Sequence, residues 1–100
     1  MQWIRTFDEM PEPGKPVLAC VNIPRYNKPT EFNRVVIRAM WVPRWYEVSD
    51  VEDECCEYSE EKDEYYLMAG WYEWNQEEEM HWKVGDHVSH WMLLPKVPDL

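Results

Sequence analysis

The cysteines and histidines are the residues best suited to metal chemistry, but their spacings match no established metal site. Cys55 and Cys56 are adjacent, whereas structural zinc sites separate a ligand pair by two to four residues so that both can reach one ion. His87 and His90 lie in a predicted turn and strand, where a spacing of three directs side chains to opposite faces. His81 is isolated within a charged stretch. The sequence therefore predicts no metal site and no cofactor.

The same residues give little support to catalysis. A catalytic cysteine needs a stabilised thiolate, a base and an orienting group. Carboxylates surround Cys55 and Cys56, and negative neighbours oppose formation of a thiolate. The three glycines of the chain are Gly14, Gly70 and Gly85, and they form no phosphate-binding loop. We therefore expect a protein that is not an enzyme.

The acidic run is the most unusual feature of the chain, since residues 47–64 hold ten acidic residues against Lys62. One interpretation is a solvated loop that keeps a tryptophan-rich chain soluble. The other is a surface that imitates nucleic-acid phosphates and occupies a basic groove on a partner protein. Interleaved tyrosines favour this second interpretation, because aromatic anchors add contact energy that charges alone do not supply. The residues assigned to this surface are Glu52, Asp53, Glu54, Glu57, Tyr58, Glu60, Glu61, Asp63, Glu64 and Tyr65.

A second hypothesis uses the aromatic and arginine residues as a small-ligand pocket. Stacked rings and guanidinium groups are suited to a nucleotide and its phosphates. The alternative, which we favour, is that the aromatics form the core and the arginines pair with the acidic half of the chain. The residues of the hypothetical pocket are Arg34, Arg38, Trp41, Trp45, Trp71 and Trp74.

Charge and length limit the classes of function. The chain has 100 residues, the size of one domain spanning residues 1–100. Its net charge of -10 is uneven, with +3 over residues 1–46 and -13 over residues 47–100. Direct binding to nucleic acid or an anionic membrane is therefore not expected. No signal peptide is evident and cysteines are few, so we predict a cytoplasmic protein; the oligomeric state stays open.

Short apolar runs between turn signals predict strands rather than helices. Residues 17–23 form one predicted strand, followed by a turn segment at residues 24–30. Pro43 interrupts the next apolar run, which predicts two strands or one strand with a bulge or bend. The aromatic run "EYYLMAGWYEW" reads as a strand in which Gly70 marks a bulge or a close backbone approach. "VSHWMLLP" reads as the last strand, after a hairpin turn at Gly85 and Asp86.

These segments predict a mainly β protein of the β or α+β class. We expect a small single domain with a four- to six-stranded, mostly antiparallel sheet and at most a short helix. A partly closed barrel is one form that such a sheet can take. The acidic loop or insert at about residues 47–64 would interrupt it.

Three motifs carry a resemblance to a known family. They are "WIRTFDEMPEPGKPVLAC" near the start, "GWYEW" in the middle and "HVSHWMLLPKVP" at the end. Together they resemble the domain-of-unknown-function-551 family, small proteins of phages and prophages that end in a His-Trp-Met-x-Leu-Pro motif. Met10, Ser89 and Leu93 depart from the usual residues of its motifs. The resemblance implies a phage or prophage origin and no known catalytic residues.

The terminal motifs also suggest a structural role for two tryptophans. Trp3 and Trp91 would pack together as the first and last segments meet, and adjacent prolines would end the strands. From origin, charge and size we expect an accessory protein that binds and inhibits a host protein, such as a nucleic-acid-handling defence factor of the kind targeted by anti-CRISPR or anti-restriction proteins. The alternatives are a protein that sequesters a nucleotide signal, and a phage structural or regulatory protein.

Overall fold

The computed structural model describes residues 2–49, 56–74 and 80–95, which contain strands and no helix. The strands are β1 (Ile4–Arg5), β2 (Val17–Arg25), β3 (Lys28–Val42), β4 (Val48–Ser49), β5 (Cys56–Ser59), β6 (Glu64–Leu67), β7 (Gly70–Trp74), β8 (Met80–Lys83) and β9 (His87–Leu93). Since this part of the chain has no helix, none is present there that could cross a membrane.

The strands form two antiparallel sheets. The larger sheet has six strands in the order β1-β9-β2-β3-β7-β8, and the smaller has three in the order β4-β6-β5. This arrangement confirms the predicted mainly β, antiparallel domain. The larger sheet ends at β1 and β8 and does not close into a barrel within the described residues.

Alternation along the strands of the larger sheet builds its main core. Val17, Ala19 and Val21 are buried, while the residues between them are half-buried. Because successive side chains of a strand point to opposite faces, these three share one face. Trp71 of β7 and Trp91 of β9 pack with them, so two of the seven tryptophans lie at the centre of the fold.

A second core lies where the two sheets join. Met40 and Val42 of β3 pack with Tyr72 of β7, and Leu67 of β6 covers them. Leu67 belongs to the smaller sheet, so its apolar side chain helps to hold that sheet against the larger one. A backbone bond from the Leu67 amide to the Glu47 carbonyl, 2.9 Å long, adds a polar contact within the smaller sheet.

The first and last strands lie side by side, as the terminal motifs suggested, but the partner of Trp91 differs from the expectation. Ile4, not Trp3, is the register partner of Trp91. Trp91 is 5% exposed, and its Nε1 donates a 2.8 Å hydrogen bond to the Glu9 carbonyl. Trp3 is 41% exposed and lines a small cavity with Cys20 and other residues of the opposite sheet face.

Tertiary pairing corrects two local predictions. The turn predicted at residues 24–30 shrinks to Tyr26 and Asn27, because β2 and β3 continue on either side of it. Gly85 and Asp86 do not form a hairpin turn, since β8 pairs with β7 whereas β9 lies between β1 and β2. Pairing between distant strands therefore decides what these turn residues connect.

A third correction concerns the two histidines of β9. The register of β2 and β9 shifts between Cys20 and Val21, so that β9 contributes one extra residue there. His90 pairs with Cys20 and His87 with Asn22, which lie on the same face of β2. The bulge therefore brings onto one face the two histidines that a regular strand would separate.

Candidate protein-binding site

The acidic run becomes a hairpin rather than a loop over its described residues. Strands β5 and β6 pair from Cys56↔Leu67 to Ser59↔Glu64, and residues 60–63 form the turn. We call residues 56–67 the acidic hairpin. It carries five carboxylates and Lys62, a net charge of -4. All the carboxylates except that of Glu57 belong to exposed residues.

One arginine ties the acidic hairpin to the turn after β3. The Arg44 guanidinium makes two parallel bonds to Glu57, from Nε to Oε1 at 3.1 Å and from a terminal nitrogen to Oε2 at 3.2 Å. Paired bonds of this kind fix both direction and distance. The same guanidinium lies 4.7 Å from the centre of the Trp45 ring. Arg44 thus positions β5 and the Trp45 side chain together.

Aromatic rings pack on both faces of the smaller sheet, because Tyr65 and Tyr66 are successive residues of β6 and point to opposite faces. The rings of Trp45 and Tyr66 meet edge to face at 5.5 Å, and those of Tyr58 and Tyr65 lie 5.1 Å apart. Tyr66 is buried, whereas Trp45 and Tyr58 are 39% and 44% exposed. The Lys62 ammonium group lies 5.9 Å from the centre of the Tyr66 ring. The surface therefore presents partly exposed aromatic rings beside carboxylates.

Two phenols donate hydrogen bonds to hairpin carboxylates. The Tyr58 hydroxyl bonds to Asp63, and the Tyr66 hydroxyl bonds to Glu64 at 2.9 Å. The bond to Asp63, with loss of hydration and the negative charge of that carboxylate, raises the pKa of Tyr58 above its ordinary value. The bond to Glu64 raises the pKa of Tyr66, an effect that nearby Lys62 partly opposes.

The raised pKa of Tyr58 leads to a prediction about alkaline solution. The bonded phenol stabilises the hairpin below the ordinary tyrosine pKa of about 10, and this contribution is lost as pH rises through the raised value. We expect Asp63→Asn, which removes the charge, to shift part of the tyrosinate absorbance titration to lower pH. Glu12→Gln, an equal charge change in an exposed loop, should leave the titration unchanged. Superimposable curves for wild type and Asp63→Asn would contradict the assignment.

A shallow cavity of about 460 Å³ opens beside the hairpin turn. The rings of Trp45 and Tyr58 contribute to its lining, and Glu60, Glu61, Ser59 and Lys62 complete it. Aromatic faces attract cations, and the attraction increases when water is displaced. The arrangement is chemically suited to a lysine or arginine side chain with carboxylates beside it.

The structure unites part of the surface predicted from the sequence. It places seven of those residues in one hairpin, namely Glu57, Tyr58, Glu60, Glu61, Asp63, Glu64 and Tyr65. Glu52, Asp53 and Glu54 lie outside the described residues. Sequence reasoning did not assign Trp45 to this surface, because its ring reaches the hairpin only through the turn at residues 44–45. The sequence did offer one indication that Trp45 lies near the hairpin, because its neighbour Arg44 is a cation just before the acidic run.

The residues of the hypothetical nucleotide pocket lie in different parts of the fold. Trp41 and Trp71 pack in the main core with ring centres 5.9 Å apart, and Trp74 packs in the second core. Trp45 lies by the acidic hairpin, and Arg34 lines a cavity of about 200 Å³ with Trp3, Cys20 and His90. Arg38 pairs with Leu18 of β2, on the face of β3 opposite Trp41. The six residues are therefore spread over both faces of the larger sheet and the acidic hairpin.

Metal-ligating side chains do not gather in the described part of the chain. Over residues 2–49, 56–74 and 80–95, no three histidine, cysteine, aspartate or glutamate residues lie close enough to hold an ion. Cys20 and Cys56 are free thiols. Cys55 lies outside the described residues, as does the side chain of His81.

Comparison with known proteins identifies a family. Residues 2–99 match the model of the family described as "Protein of unknown function (DUF551)", which covers nearly the whole chain. No curated protein and no solved structure matches the chain.

Proposed function

The chain belongs to the DUF551 family, and we propose that it is a non-enzymatic protein that binds and inhibits another protein by placing its acidic hairpin in a basic groove. The observation that carries the proposal is the hairpin itself, in which exposed carboxylates flank the partly exposed rings of Trp45 and Tyr58. Charges steer association, and aromatic anchors contribute much of the binding energy.

The type of partner follows from this chemistry. A groove that binds nucleic acid presents lysine and arginine to phosphates, and the exposed carboxylates of the acidic hairpin compete for the same contacts. The phage or prophage origin implied by the terminal motifs suggests a host defence protein as the partner. Inhibition would then result from occupation of the groove, without any chemical step. The cytoplasm of the bacterial host is the compartment in which such a partner would be met.

Capture from a bacterial lysate tests the proposal. We expect Glu60→Gln with Glu61→Gln to fold normally and to lose most of the proteins that the wild type captures at low ionic strength. The exposed pair Glu9→Gln with Glu12→Gln changes the net charge equally and should retain them. Salt should elute the captured proteins, since a Debye length of about 8 Å at physiological ionic strength screens exposed charges.

Competition with DNA distinguishes binding in a nucleic-acid groove from nonspecific binding. Duplex DNA added to the lysate should displace the captured protein if the hairpin occupies a nucleic-acid groove. Capture that is equal for the hairpin variant and its control, or that DNA does not reduce, would refute the proposed function.

A further inference from the structure

The hairpin of β2 and β3 has an open edge. β2 pairs with β3 up to Ala39, whereas β7 pairs with β3 only from Ala39 to Val42. Among the described residues, no strand therefore pairs with the other edge of β3 over residues 28–37. We call residues 22–37 the β2–β3 arm. Its open edge is a row of backbone donors and acceptors that a further strand can pair with.

The arm projects into solvent and exposes apolar side chains. Every residue from 24 to 36 is exposed. Tyr26 at the turn is 100% exposed, and Phe32 and Val36 are 53% and 55% exposed. Two-stranded hairpins alone are only marginally stable in water. A partner strand would therefore stabilise this long arm, with its exposed apolar residues, more than it would stabilise the packed strands.

The charge of the arm is opposite to that of the protein as a whole. The arm holds three basic residues and Glu31, a net charge of +2 in a chain of -10. Glu31 is already engaged by Arg25 at 3.3 Å and Lys28 at 3.9 Å. Arg34 instead donates to the neutral Asn22 Oδ1 at 3.1 Å, and no carboxylate among the described residues forms an ion pair with it.

We propose that the open edge of β3 takes up an extended acidic segment of another protein by strand addition. Backbone bonds supply affinity in this mode, and alternate side chains supply selectivity. Phe32, Arg34 and Val36 share one face of β3, and Val35 lies on the other. The matching segment therefore places a carboxylate beside Arg34 and, on the other face, an apolar residue beside Val35. This surface is separate from the acidic hairpin and selects the opposite charge.

The partner is a protein segment and not a nucleic acid for two reasons. Strand addition uses backbone donors and acceptors that a phosphodiester chain does not offer in the same repeat. The net charge of -10 also repels a dense polyanion more than a short segment with a few carboxylates.

Two capped peptides serve as probes, one of alternating glutamate and valine and one of alternating lysine and valine. We expect the full chain to bind the glutamate peptide and to show slowed amide hydrogen exchange at residues 32–37. Arg34→Glu should weaken binding by about tenfold, the size of one charge-assisted contact. Arg5→Glu makes the same charge change at an exposed residue of β1, at the far edge of the sheet, and should leave affinity within about twofold.

Circular dichroism and thermal melts check that both variants fold. Slowed exchange at residues 32–37 with the lysine peptide, or binding of the glutamate peptide that leaves exchange there unchanged, overturns the proposal. So does an equal loss in Arg5→Glu, which would indicate attraction by net charge alone. Displacement of the peptide by a single-stranded DNA oligonucleotide that binds more tightly would assign the arm to nucleic acid instead.

Discussion

Trp91→Ala is expected to lower the free energy of unfolding by about 3–5 kcal/mol, the usual cost of truncating a buried aromatic residue. Trp91 is 5% exposed and packs in the main core with Ala19 and Trp71. Its ring nitrogen also satisfies the Glu9 carbonyl, so the variant loses the contact that fastens the amino-terminal loop to β9. A domain of this size has only about 5–15 kcal/mol of stability in total. Denaturant melts measure the change directly.

Trp3→Ala provides the matched control for that experiment. The same residue type lies on a neighbouring segment, but 41% of its surface is exposed. We expect a loss of about 1 kcal/mol or less, because the transfer and cavity costs fall with exposure. Equal losses in the two variants, or a loss below about 1 kcal/mol for Trp91→Ala, would contradict the structural assignment of Trp91.

The second large effect concerns binding and not stability. Trp45→Ala is expected to weaken binding to the partner identified by capture by about 2 kcal/mol, or roughly 30-fold. Its ring is 39% exposed, is supported by Tyr66 and Arg44, and lines the cavity beside the hairpin turn. An aromatic ring held in place before binding loses little conformational freedom when it makes contact. Calorimetric titration of the partner into wild type and variant measures the difference.

Trp3→Ala is again the control, since Trp3 and Trp45 are exposed to nearly the same extent. Trp3 lies on the larger sheet, away from the acidic hairpin, so its removal should leave affinity within about twofold. A Trp45→Ala variant that melts like the wild type and binds with unchanged affinity would remove Trp45 from the interface. Binding would then rest on the carboxylates and the Tyr58 ring.

Local patterns in the sequence were sufficient to predict much of the fold. Alternating burial at Val17, Ala19 and Val21 follows from side-chain period alone. Pro43 ends β3, because it has no amide hydrogen to continue a ladder. The concentration of carboxylates and tyrosines in the acidic run is evident from the sequence alone, and those residues form most of the candidate site.

Only the tertiary structure decided which segments meet. The run from Tyr65 to Trp74 has apolar residues on both faces and reads as one strand, yet Met68 and Ala69 divide it between the two sheets. Gly70 allows the Lys83 side chain to approach, with a Cβ there falling 2.9 Å from Lys83 Cε. The bulge in β9 and the separation of Trp3 from Trp91 depend on pairing between residues more than 60 positions apart. Such pairings depend on how the whole core packs, because a shift of one residue in register moves every side chain of a strand to the other face.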